Sequence, residues 1–148
     1  MANTQSIPTY QAWRTAVLTS GLVPMYPTSG LLAALFLVSA TINGTTTAYT
    51  TSGEVSGAGY TAGGVAVTSA TAPNVSGATA FWTPSALISF GTVTLATAFD
   101  CVMIYDGAAS NRNLYVGTFG SQTVTAAPFT LTMPTNDATT GLVRVAWS

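Results

Sequence analysis

Within the stretch Glu54-Val55-Ser56-Gly57-Ala58-Gly59-Tyr60-Thr61-Ala62-Gly63-Gly64, four of the eight positions from 57 to 64 are glycine. Glycine serves where the backbone must take a positive φ or approach another group closely. Tyr60 stands between these glycines as a single large aromatic, and a tightly turned chain would hold it either inward or outward. The segment divides the sequence and is expected to reverse the chain between its two parts. Before it the pattern predicts a helix and then an apolar strand; after it come short strands and turns.

Met1 to Ser6 is polar and reads as an arm. Pro8 suits a first helical position. Tyr10, Trp13 and Val17 recur at helical spacing, with Ala16 and Leu18 widening the stripe. Gly21 and Pro24 close the predicted helix, which runs from about Pro8 to Ser20. Arg14 lies within it. Leu31 to Ser39 is short and flanked by Gly30 and Asn43-Gly44, so it reads as a strand buried on both faces. Thr45 to Ser52 is Thr-rich and reads as a loop or exposed edge.

From Val65 the chain is written as strands: Val65 to Thr68, Asn74 to Trp82, Leu87 to Phe90, Val93 to Leu95 and Phe99 to Tyr105. Asn74 to Trp82 is expected as one strand with Val75, Gly77, Thr79 and Phe81 on one face. Gly91 separates the next pair. Asp106-Gly107 signals a positive-φ turn into a partner strand over Asn113 to Phe119. Gly120-Ser121 signals another turn, followed by strands near Thr123 to Ala126, Phe129 to Met133 and Leu142 to Trp147. Regular short strands between turn signals predict a mainly β domain, an antiparallel sandwich or barrel-like fold with one N-terminal helix. No repeat or linker interrupts the 148 residues, which read as one domain.

Charge decides which functions fit. Only 5% of residues are charged and histidine is absent, against about a quarter charged in an ordinary soluble domain. With no basic cluster the chain has nothing to neutralise phosphates, which argues against nucleic acid and against a charged membrane surface. The N-terminus shows no basic start followed by an apolar core of the signal-peptide kind. Leu31 to Val38 is too short to cross a bilayer as a helix. A near-neutral surface of Thr, Ser, Asn, Gln and Gly suits a subunit covered by neighbours, because charge repulsion is what keeps free proteins apart.

Gly57-Ala58-Gly59-Tyr60-Thr61-Ala62 matches a loose dinucleotide-binding pattern, but no helix follows and the next acid is Asp100. It is expected to be a structural loop, with no cofactor. Catalysis by Ser, Thr or Cys needs a base, and neither His nor Lys is present. Asp100 and Asp106 flank an apolar strand, and Asp106 has a turn role. No metal-ligand set is visible. Cys101 reads as an inert buried thiol. Neither Asn43-Gly44-Thr45 nor Asn74-Val75-Ser76, which match the glycosylation pattern, is read as a modification site. Arg112 reads as a solvated loop tip. Arg14, Arg144 and Glu54 are the candidate interface charges, since bidentate arginine contacts favour interfaces.

The order of these features resembles a family of small bacteriophage virion proteins. The resemblance runs from Pro8 over most of the chain. It is most specific at Gly59-Tyr60-Thr61-Ala62-Gly63-Gly64, with generic β wording at Val102-Met103-Ile104-Tyr105-Asp106 and Phe129-Thr130-Leu131-Thr132-Met133. The chain departs from it in its scarcity of charge and in the longer Thr-rich loop before Glu54. The resemblance implies a structural protein of the particle, assembled in the bacterial host cytoplasm. A head decoration or cement protein is the first expectation, with the major capsid protein or copies of itself as partners. A tail or fibre component is the alternative, in which Tyr60, Trp82 and Tyr105 would stack on a host surface glycan.

Overall fold

A computed structural model describes residues 2–7, 29–67 and 71–146. The predicted helix over Pro8 to Ser20, Arg14 with it, lies outside the described residues. Within them the protein is built from antiparallel strands in two sheets, and no helix occurs.

The strands are β1 (Leu31–Leu37), β2 (Val65–Ala66), β3 (Asn74–Ser76), β4 (Thr79–Trp82), β5 (Leu87–Asp106), β6 (Arg112–Thr132) and β7 (Val143–Ala146). The first sheet has the order β2-β1-β5-β6 and the second β3-β4-β7. A long hairpin of β5 and β6 dominates the molecule.

β1 is the expected strand buried on both faces. Leu31, Ala33 and Leu35 enter one cluster with Ile104, Leu114, Trp82 and Val143. Ala34 and Phe36 enter a second, on the opposite face, with Met103, Val116, Ala40 and Ile42. Alternate side chains of a strand point to opposite faces, so an unbroken apolar run is what a doubly covered strand requires. The loop after β1 supplies that second cover: Ala40, Ile42 and Tyr49 all pack into the second cluster.

Several strand and turn expectations are corrected. Asn74 to Trp82 is not one strand but the β3–β4 hairpin, turned at Gly77 with φ of 56°. Gly91 and Gly120-Ser121 do not separate strands either. Gly91, at φ of 70°, sits where the β5–β6 register shifts, so the extra backbone is absorbed as a β-bulge inside a continuous 20-residue strand. Gly120 and Ser121 likewise lie inside the 21-residue β6. Finally, the turn after Asp106 takes its positive φ at Ser110 and Asn111, each at 55°, rather than at Gly107. Gly107 packs closely instead: a Cβ there would lie 2.8 Å from Leu32 Cδ1, which that side chain would have to move aside to admit.

Arg112 is not a solvated tip. It stands opposite Asp106 across the hairpin, with Nη2 3.4 Å from Asp106 Oδ2. Asp106 Oδ1 accepts from Ala108 N–H at 3.0 Å, which is the turn role its position suggests.

Candidate functional site

The glycine-rich segment is a loop pulled out of an edge strand. Its first part pairs with β1: Glu54 stands opposite Phe36, and Val55 N–H donates to Leu35 carbonyl at 3.0 Å. Its last part, β2, pairs antiparallel with the other end of β1, Val65 opposite Ala33. The segment therefore does not reverse the chain between the two halves, as its turn-rich wording suggests. The reversal comes earlier, over the loop between β1 and Glu54. The glycines carry the excursion in between.

Each glycine has a physical reason. A Cβ on Gly57 would lie 2.0 Å from Thr94 carbonyl oxygen, and one on Gly59 2.2 Å from Thr92 carbonyl oxygen. The loop thus lies directly on β5, where Thr94 N–H donates to Ala58 carbonyl at 2.8 Å. On Gly64 a Cβ would come within 1.8 Å of Ala33 carbonyl oxygen, as the chain returns onto β1. Gly63 meets no such obstacle, but its φ of 89° disfavours any side chain.

Glu54 holds this loop closed. Its Oε1 accepts from Tyr60 hydroxyl at 2.8 Å and from Gly63 N–H at 2.7 Å, and its Oε2 accepts from Tyr49 hydroxyl at 2.5 Å. Tyr60 points inward. Its hydroxyl also accepts from Leu35 N–H at 3.0 Å, replacing the strand partner that β1 lacks where the segment loops away. Tyr105 hydroxyl donates to Gly63 carbonyl at 2.7 Å, and its ring stacks on Tyr49 with centroids 4.6 Å apart. Hydrogen bonds to an ionised carboxylate are about twice as strong as neutral ones.

Burial pushes the phenols of Tyr60, Tyr49 and Tyr105 upward, and the adjoining Glu54 charge adds to the effect. All three therefore stay protonated at neutral pH, as the hydroxyls of Tyr49 and Tyr60 must be to donate to the carboxylate. With both oxygens of Glu54 occupied by donors of its own chain, the arrangement is a closed brace and offers no free base.

The other sequence candidates do not converge on it. Trp82 and Tyr105 are buried, so with Tyr60 turned inward these rings form no open stacking platform. Arg144 lies on β7 and donates to Thr139 carbonyl, beside an Asp137 carboxyl held below the usual range by hydrogen bonds from Thr140 and Thr139. Asp100 accepts from Asn3 Nδ2 at 2.8 Å. Cys101 is fully buried and its thiol is pushed up to about 12 by burial and by Asp100. Among the described residues no group of His, Cys, Asp or Glu could hold a metal ion, and no helix is long and apolar enough to cross a membrane.

A cleft of about 510 Å³ lies between Ser6 and Ile7, Tyr115, and the β7 residues Val143 and Arg144. It brings no acid and base together. What the sequence could not reveal is that Tyr49 closes on Glu54 and that Tyr105, from a strand far along the chain, stacks on Tyr49 and holds the Gly63 carbonyl. Searches for a matching family model, curated relative or solved structure returned no match.

Proposed function

We propose that this chain is a structural protein of a bacteriophage particle, acting as a decoration or cement subunit of the head through many weak protein contacts. The observation that carries this reading is the far part of the β5–β6 hairpin. From Leu87 to Phe99 and from Asn113 to Asn136 the chain has no charged residue. Thr92, Thr97, Thr123, Thr125, Thr130 and Thr132 are exposed there, over an inner face holding Phe90, Phe129 and Leu131. A ribbon with polar, uncharged outer positions has backbone and hydroxyl groups to pair and little repulsion to overcome.

The resemblance centred on Gly59 to Gly64 supports the same reading. So does the closed state of Glu54, which leaves the most distinctive segment as scaffold. The two sheets read as a sandwich-like pair, because Trp82 of β4 and Val143 of β7 share a cluster with Leu31 and Ile104 of the first sheet. A tail or fibre role is the alternative that the resemblance leaves, and it would have to bind a host glycan without Tyr60, Trp82 and Tyr105 as an open stacking platform.

A cement subunit stabilises by mass action, binding the assembled shell and not the free parts. Quantitative protein analysis of purified particles is expected to give hundreds of copies, and particles lacking the protein are expected to burst at lower temperature. A handful of copies per particle, with unchanged bursting and lost adsorption, would move the protein to the tail.

A further inference from the structure

The arm Ala2 to Ile7 is held in a slot made for an extended peptide. Asn3 is buried and its amide is fully used. Nδ2 donates to Leu37 carbonyl at 3.2 Å and to Asp100 Oδ1 at 2.8 Å, while Oδ1 accepts from Ile42 N–H at 2.8 Å. Thr4 N–H donates to Ile42 carbonyl at 2.8 Å. Ser6 then adds to the outer edge of β6 as an antiparallel partner of Val116, with two backbone bonds of 3.0 and 2.8 Å. The slot therefore joins the end of β1, the middle of β5, the loop at Ile42 and the edge of β6.

Every one of these contacts is between the arm and the body, and residues 8–28 separate the two. Twenty-one residues span up to about 70 Å when fully extended, and about 45 Å with the expected helix over Pro8 to Ser20 kept, either way more than the width of a domain of this size. The same bonds form whichever copy supplies the arm, so exchange between copies costs no contact and only the entropy of association. The near absence of charge removes the electrostatic obstacle to bringing identical bodies together.

We infer that the slot is a strand-acceptor site for the Ala2–Ile7 arm of a second copy, so that neighbouring subunits are linked by exchanged arms. This rests on the multi-copy reading only in naming a second copy as partner. A subunit that kept its own arm could still decorate a shell, so failure here is separable from failure of that reading.

The test uses two full-length variants, Ser6→Cys and Val116→Cys. Opposed residues of a hydrogen-bonded antiparallel pair have Cα atoms about 5.5 Å apart, within the range a disulfide bridges. Mixed and oxidised, the two variants should give a covalent dimer of twice the 15.0 kDa chain, while either variant alone should not. A mixture that stays monomeric under denaturing gel conditions would overturn the inference. Because Val116 is fully buried and its variant could fail to fold, light scattering on the unmodified chain and on Asn3→Ala gives an independent readout. The unmodified chain should run as an oligomer that falls to the monomer mass in Asn3→Ala; the same mass for both would equally overturn the inference.

Discussion

The β5–β6 hairpin is one continuous pair of strands, yet its two ends are built on opposite principles. Near the turn, Cys101 to Asp106 and Asn113 to Gly117 are buried without a break. One face meets Leu31, Leu35 and Trp82, and the other meets Phe36, Ile42 and Ala40. Their register is almost regular. Away from the turn, Leu87 to Ala98 and Thr118 to Thr132 alternate in exposure, and the register shifts repeatedly. Ala126 there takes a φ of 47°, and Pro128 cannot donate to a neighbour. The near end carries the stability of the fold; the far end presents surface.

The largest expected effect comes from the strap that closes the near end. Gly64→Val should abolish folding, since its side chain would occupy the place of Ala33 carbonyl oxygen, a clash beyond the about 4–5 kcal/mol that marks exceptional substitutions. The matching change at the far end, Gly120→Val, meets nothing within 4 Å and should shift stability by no more than about 0.5 kcal/mol. Soluble expression and thermal melts of the two variants would compare them directly. Equal damage from both would erase the distinction between the ends.

Next in size is core truncation. Phe36→Ala should cost about 3–5 kcal/mol, because Phe36 is fully buried between β1 and the covering loop. Leu87→Ala, at a position half exposed, should cost less than about 1 kcal/mol. Urea unfolding midpoints would measure the ratio.

A smaller effect is expected from Tyr60→Phe. It leaves Leu35 N–H without its partner and takes one donor from Glu54, a loss of about 1–3 kcal/mol. The pH dependence follows from the same group. Folding raises the Tyr60 phenol above its ordinary value of 10.0, so the folded state favours the protonated form. That contribution is fully present below the unfolded value and is lost as pH rises above it. Unfolding midpoints should fall above about pH 10 in the parent chain and fall less steeply in Tyr60→Phe. The smallest prediction concerns Cys101, which should resist thiol reagents in the folded protein and react on unfolding, followed by absorbance.

Much of the near end was legible in the sequence. The apolar run from Leu31 and the apolar strand up to Asp106, with the turn after it, were both readable, since a strand covered on both faces must be apolar without a break. The far end was not, because Gly91 and Gly120-Ser121 have the composition of turns, and only cross-strand pairing turns such residues into bulges. The ion pair of Asp106 and Arg112 was within reach, since the two flank the same turn. The Glu54 brace was not. It depends on the register of three separate segments, and a glutamate in a glycine-rich stretch carries no mark of its partners.

We propose that one end of the hairpin holds the fold and the other meets partners, and hydrogen exchange on the free protein and on particles of the proposed kind decides between this and its opposite. Amides of Ala33 to Leu35, Cys101 to Tyr105 and Leu114 to Val116 should be protected equally in both states. Those of Thr118 to Thr132 that do not face β5 should exchange quickly in the free protein and slowly in the particle. Identical exchange of Thr118 to Thr132 in the two states would contradict the account.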